Sequence, residues 1–200
     1  MLFAKYFQTA LAITSVFIVA SSSACNFSDG NSSVGQSNIN QSFGQPKRDP
    51  NAVKYFESVE EINRSKAAFA EKIGGDIKIT SMRIYEDYVE MQAQDPQKPE
   101  NVDRYTYRNG TLDKVDPVEL IGGGKLEDNL FRLNDVAIEK IPELTREAME
   151  RSKNMENPKI LVVQIVLSVS GIPEILVNVK GTRKHMMLTS DIKGNIISYR

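Results

Sequence analysis

Apolar residues recur along the chain with two periods, and each period marks a different kind of element. From Phe56 they fall at helical spacing through Val59, Ile62, Phe69 and Ile73, then stop at Gly74-Gly75. Ser58 and Glu61 have capping-box spacing, and Gly74 is a C-terminal stop signal. The period then shortens. Ile77-Lys78-Ile79 and Met82-Arg83-Ile84-Tyr85 read as one strand. Tyr88–Ala93 reads as another, with Val89, Met91 and Ala93 on one face. Tyr105–Arg108 runs into Asn109-Gly110, a strong hairpin signal, and Thr111–Asp113 returns.

The second half repeats this order. A helical pattern follows Phe131–Asp135, and Pro142 divides it into a short turn and a helix over about residues 141–153. The run Lys159–Leu167 is apolar almost throughout, which predicts a central strand covered on both faces or lying at an interface. Ile175–Val179, His185–Ser190 and Ile196–Arg200 follow, the last after Lys193-Gly194-Asn195. Each half therefore reads helix, strand, strand, strand. The fold class expected is α+β, as two tandem helix-plus-antiparallel-sheet units over residues 49–118 and 119–200. One helix per unit cannot cover both faces of its sheet, so the other faces must meet each other, a partner or solvent.

The first 48 residues follow neither period. Residues 1–24 carry one charge, Lys5, then the apolar run Ala10–Ala20, then Ser21-Ser22-Ser23-Ala24. That is the order of a secretory signal peptide, and the run is too short to span a bilayer core of about 30 Å. Cys25 follows, the only cysteine of the 200 residues. Ser22-Ser23-Ala24-Cys25 resembles a bacterial lipoprotein lipobox, with Ser22 where that family usually has an aliphatic residue. The resemblance implies that Cys25 carries acyl chains (palmitate among them) and becomes the mature N-terminus. Ordinary signal-peptidase cleavage after Ala24 fits the same small residues. Asn26 in place of Asp implies, by the enterobacterial sorting pattern, the periplasmic face of the outer membrane. Residues 25–48, rich in Ser, Asn, Gln and Gly, read as a disordered, flexible tether with a reach of roughly 25–30 Å.

The element order over residues 56–200, with the closing pattern Leu188-Thr189-Ser190-Asp191-Ile192-Lys193-Gly194-Asn195-Ile196, resembles a tandem PepSY-like or β-lactamase-inhibitor-protein-like fold. Such families are non-enzymatic envelope modules that bind or inhibit other proteins or sense the envelope state. The resemblance thus implies a lipid-anchored cell-envelope protein whose partner is another envelope protein.

Composition narrows the chemistry. A net charge of -1, from 25 basic and 26 acidic residues, lacks the basic excess of a nucleic-acid-binding surface. One Cys and one His leave no set for the usual zinc or iron–sulfur sites, and no metal or cofactor is expected. His185 has no second His or free Cys to form a dyad. Gly122-Gly123-Gly124-Lys125 lacks the first Gly and the Ser or Thr of a phosphate-binding loop and reads as a linker. The acidic groups Glu86-Asp87, Asp95 with Glu100 and Asp103, and Glu127-Asp128 lie in turns, where solvated carboxylates are the rule. No catalytic set emerges, and the chain is not expected to be an enzyme.

The aromatic set gives the candidate site. Tyr85, Tyr88, Tyr105 and Tyr107 crowd the first-half strands beside Arg104 and Arg108, and Tyr and Arg dominate protein–protein hot spots. Cross-strand packing would use the same residues. A small amphiphile, a lipid or a cell-wall fragment, is the alternative ligand, held between the apolar runs at 160–167 and 175–179.

Overall fold

The computed structural model describes residues 54–122 and 124–200. The expected signal peptide, Cys25 and the tether lie outside the described residues.

Helix α1, Val59–Ile73, begins where the sequence places its cap. The Ser58 hydroxyl accepts from the Glu61 backbone N–H at 3.3 Å, satisfying one of the orphan donors of the first turn. The preceding three residues, Tyr55–Glu57, form a 3-10 turn, so the helix starts later than the apolar pattern at Phe56 suggests. Helix α1 buries Ile62, Ser65 and Phe69, and the Ser65 hydroxyl returns a hydrogen bond to the Ile62 carbonyl at 2.7 Å. Helix α2, Ile141–Arg151, follows a 3-10 turn at Ile138–Lys140. Pro142 sits in its first turn, where the missing N–H costs nothing. It buries Ile141, Leu144, Thr145 and Ala148. The Thr145 hydroxyl donates to the Phe56 carbonyl at 3.2 Å, tying α2 to the turn before α1.

Each half supplies four strands, because the returning segments at Thr111 and Ile196, left out of the three-strand order expected, are strands as well. The strands are β1 (Lys78–Ile84), β2 (Val89–Gln94), β3 (Val102–Arg108) and β4 (Thr111–Pro117), then β6 (Lys159–Leu167), β7 (Pro173–Lys180), β8 (His185–Asp191) and β9 (Ile196–Tyr199). A two-residue β5, Phe131–Arg132, pairs with the start of β1. The first-half return strand β4 runs four residues past the predicted Asp113. The Asn109-Gly110 turn that launches it has φ of 51° and 79°, the left-handed pair that a two-residue hairpin requires.

All pairings are antiparallel, and the order across the sheet is β4-β3-β2-β1-β6-β7-β8-β9. Separate tandem units are not evident: β1 and β6 pair through Ser81↔Val166, Met82↔Ile165, Arg83↔Gln164 and Ile84↔Val163, making one continuous sheet. The chain leaves the edge strand β4 after Pro117 and is back at the centre in β5. Leu120 and Ile121 stand in solvent. Both edge strands are bulged against their neighbours, and β4 ends on Pro117, devices that stop an edge from pairing with another chain.

Both helices lie on one face of this sheet and share one core. Phe69, Ile62, Ile79, Met82, Ile84, Met91, Leu133, Ile141, Ile165, Ile175 and Leu188 are fully buried in it. Full burial of such a side chain is worth about 1.5–3 kcal/mol. Strand β6 is central, as its composition predicts, but it is not covered on both faces. Val163 and Ile165 enter the core, while Gln164 and Val166 point to the face that carries no helix.

Candidate docking face

The alternation of β3 divides the six candidate residues between two faces. Tyr105 and Tyr107 point into the core on the α1 side, 5% and 3% exposed, and burial raises both phenol pKa values above the ordinary one. The Tyr107 ring meets Tyr55 edge-on at 5.9 Å and Phe69 at 6.3 Å. These two tyrosines are core residues, and the expectation that they anchor a partner is corrected: a ring buried in the core on the α1 side of the sheet cannot reach one. Arg104 and Arg108, one position away in each case, face the other side.

There they join Tyr85 and Tyr88. The β1–β2 turn closes with the Tyr85 N–H donating to the Tyr88 carbonyl at 2.9 Å, and the two rings stack at 4.4 Å, 18° from parallel. The Arg108 guanidinium lies over the Tyr88 ring, 4.6 Å from its centroid, and Asp87 approaches Arg108 at 4.0 Å. Burial, with Tyr85, Glu90 and Asp87 nearby, pushes the Tyr88 phenol up to about 12. One row along, Glu90 takes Arg83 at 2.9 Å and faces Arg104 at 3.8 Å. The Nε atoms of Arg104 and Arg108 are buried and donate to no protein acceptor, although their side chains reach solvent. Unsatisfied buried donors are rare, and they leave this face with hydrogen-bonding capacity that its own residues do not fill.

Across the β1–β6 seam the same face changes character. Asn178 donates to Gln164 at 3.1 Å. Beyond them Glu174, Leu176, Met187, Thr189 and Ser198 floor a shallow groove of about 720 Å³, rimmed by Val169 and Ile197. Val169 is fully exposed and Ile197 is 60% exposed. The periodicity of β7 and β8 carries the signal for these floor residues, since each alternates with a core position. The sequence alone did not say which parity would lie uncovered.

The remaining candidates lie apart. His185 starts β8 and is exposed. Asp95 accepts from the Gln97 N–H at 2.8 Å within its own turn. Asp191 closes the β8–β9 turn: its carboxylate accepts from the N–H groups of Lys193 and Asn195, each at 2.9 Å, and from the Asn195 amide at 2.8 Å. These bonds, the Asn195 side chain first, hold its pKa below the ordinary carboxylate value. The closing pattern seen in the sequence is therefore a turn lock. Among the described residues no helix is long and apolar enough to cross a membrane.

No protein-family model matches the chain, and no curated protein does. Among solved structures it resembles a crystal structure from Clostridium difficile 630 described as a putative lipoprotein. The TM-score is 0.52 at 12% identity, over 74% of this chain and 93% of that one. At that identity the likeness concerns the fold: helices on one side of a large antiparallel sheet.

Proposed function

We propose that the chain is a lipid-anchored envelope lipoprotein whose folded body is a non-catalytic module that binds another envelope protein on its open sheet face. The carrying observation is that face itself. One continuous sheet keeps both helices on one side, and the other side gathers an aromatic–arginine stack, an ion-paired row and an apolar groove. Tyr and Arg anchors beside apolar area are the composition of binding hot spots. A tethered body also meets other membrane-bound proteins at raised effective concentration, so modest contacts suffice. Ser22-Ser23-Ala24-Cys25 and the name given to the fold neighbour support the anchor, and Asn26 after the cysteine is what favours the periplasmic face of the outer membrane. The strand order, mirrored about β1–β6 with one helix and four long strands from each half, supports the PepSY-like tandem reading.

The groove favours one alternative, a small amphiphile lying across Leu176 and Met187. Photo-crosslinking in intact cells separates the two. A crosslinker at Leu176 or Met187 captures a defined polypeptide, and one at Glu71 on the exposed side of α1 does not. Capture of a lipid or glycan at Leu176 without polypeptide selects the carrier. Equal capture from Glu71 removes the docking face.

A further inference from the structure

We propose that the end of the sheet holding the β7–β8 turn is a docking surface for anionic phospholipid headgroups, seating the body on its own membrane. The proposal rests on the lipid-anchored reading above. The chain's basic and acidic residues nearly cancel, yet cations gather in and beside the β7–β8 turn. Lys159 pairs across the sheet with Lys180, and Lys180 with His185, so two lysines stand directly opposite one another. Arg183 and Lys184 lie in the turn between β7 and β8. All five side chains are exposed. Like charges placed opposite destabilise a strand pair. Among the described residues none of these four cations has an acid within salt-bridge distance; Lys66, Lys72, Lys78, Lys98, Lys125 and Arg146 lack one too, so it is the crowding of the four, with two lysines opposite one another, that sets this end apart. Glu156 is the acid of the neighbouring turn. Its backbone carbonyl accepts from the Thr182 N–H at 2.9 Å, and the Gly181 N–H donates to Lys184 O at 2.8 Å. The basic turn is thereby held in one shape.

Position supplies the second argument. Ile84 pairs with Val163, so the β1–β2 turn and the start of β6 lie at the same end of the sheet. The Tyr55 N–H donates to the Glu86 carbonyl in that β1–β2 turn at 3.1 Å, and Lys54 reaches the Glu86 carboxylate at 3.7 Å. The first described residue, Lys54, therefore lies at the same end of the sheet as these four cations. Lysines and arginines near an anionic bilayer each raise the docked fraction, by roughly fivefold per charge, and salt screens the effect within a Debye length of about 8–10 Å.

The test uses the full protein purified from membranes and reconstituted in vesicles of phosphatidylcholine alone or mixed with phosphatidylglycerol. Amine acetylation read by mass spectrometry reports on each lysine. Lys159, Lys180 and Lys184 become protected on the mixed vesicles and not on the neutral ones, and high salt removes the protection. Lys78, at the opposite end of the sheet, stays equally reactive throughout. Lys180→Gln with Lys184→Gln lowers the docked-to-free ratio read at Lys159 by about 25-fold. Equal reactivity on both vesicle types overturns the proposal. So does the same protection on neutral vesicles in inorganic phosphate, which would make the cluster a free-anion site. The mass of the Cys25 peptide reports the anchor separately: protection on mixed vesicles without an acyl mass keeps the surface and rejects the anchor.

Discussion

The guanidinium of Arg108 rests 4.6 Å from the ring centroid of Tyr88, while Tyr107, the residue before it, turns its ring to Phe69 on the other side of the sheet. One step along β3 thus separates a surface contact from a core contact. Tyr107→Ala removes a buried ring that two aromatic neighbours pack against and costs about 3 kcal/mol or more in denaturant unfolding. Tyr88→Ala loses one stacked pair and a cation–π contact, about 1 kcal/mol. A comparable loss from both substitutions would contradict the assignment of faces.

The Tyr88 phenol gives a pH signature. Its folded pKa, about 12, lies above the ordinary 10, so the folded state holds that proton more tightly than the unfolded chain. The associated stability is complete below pH 10 and is lost as pH rises towards 12. In an absorbance titration of phenolate, Tyr88→Phe removes a late-titrating group and leaves the early ones unchanged. Removal of an early group instead would place the raised phenol elsewhere.

The Asp191 turn responds in the opposite direction. Its carboxylate pKa is lowered in the folded state, so its contribution is present above the ordinary carboxylate pKa and is lost as pH falls through the folded value. Asp191→Ala leaves the Lys193 and Asn195 donors without their acceptor and lowers stability by about 1 kcal/mol at neutral pH. The difference between wild type and variant narrows in acid, as equilibrium unfolding at several pH values will register.

Gly194 completes that turn with φ of 87°, and a Cβ there would stand 2.9 Å from Cβ of Lys140. Gly194→Ala therefore meets backbone strain and a close contact with the segment before α2, about 1–3 kcal/mol together. Thermal unfolding measures it. Shortening Lys140 to Ala in the same chain relieves little, because the Cβ remains.

These turns and helix ends are the parts most legible in the sequence, because their causes are local. Ser58 with Glu61, Pro142, Asn109-Gly110 and Asp191 with Asn195 each act within four residues. The shared face of Tyr105 and Tyr107 is legible for the same reason, since strand parity needs only their spacing. Which face the helices cover is not, because that is decided by how α1 and α2 pack on distant strands. The join of the halves was equally hidden: Met82 finds Ile165, and nothing near either residue announces the other. Two units of the right composition therefore read as separate, and six candidate residues read as one cluster although the sheet runs between them. The unpaired lysines were missed because like charges become opposite neighbours only once the β6–β7 and β7–β8 registers are known.

The β1–β6 seam also sets how the molecule comes apart. Each half places its first strand at the centre, so a half alone would expose a long, largely apolar edge beside an unfinished core. Protease cleavage within the exposed residues 119–122 should then yield two fragments that stay bound and co-elute. Neither fragment, isolated in denaturant and diluted alone, should regain the intact protein's circular dichroism, whereas the mixture should.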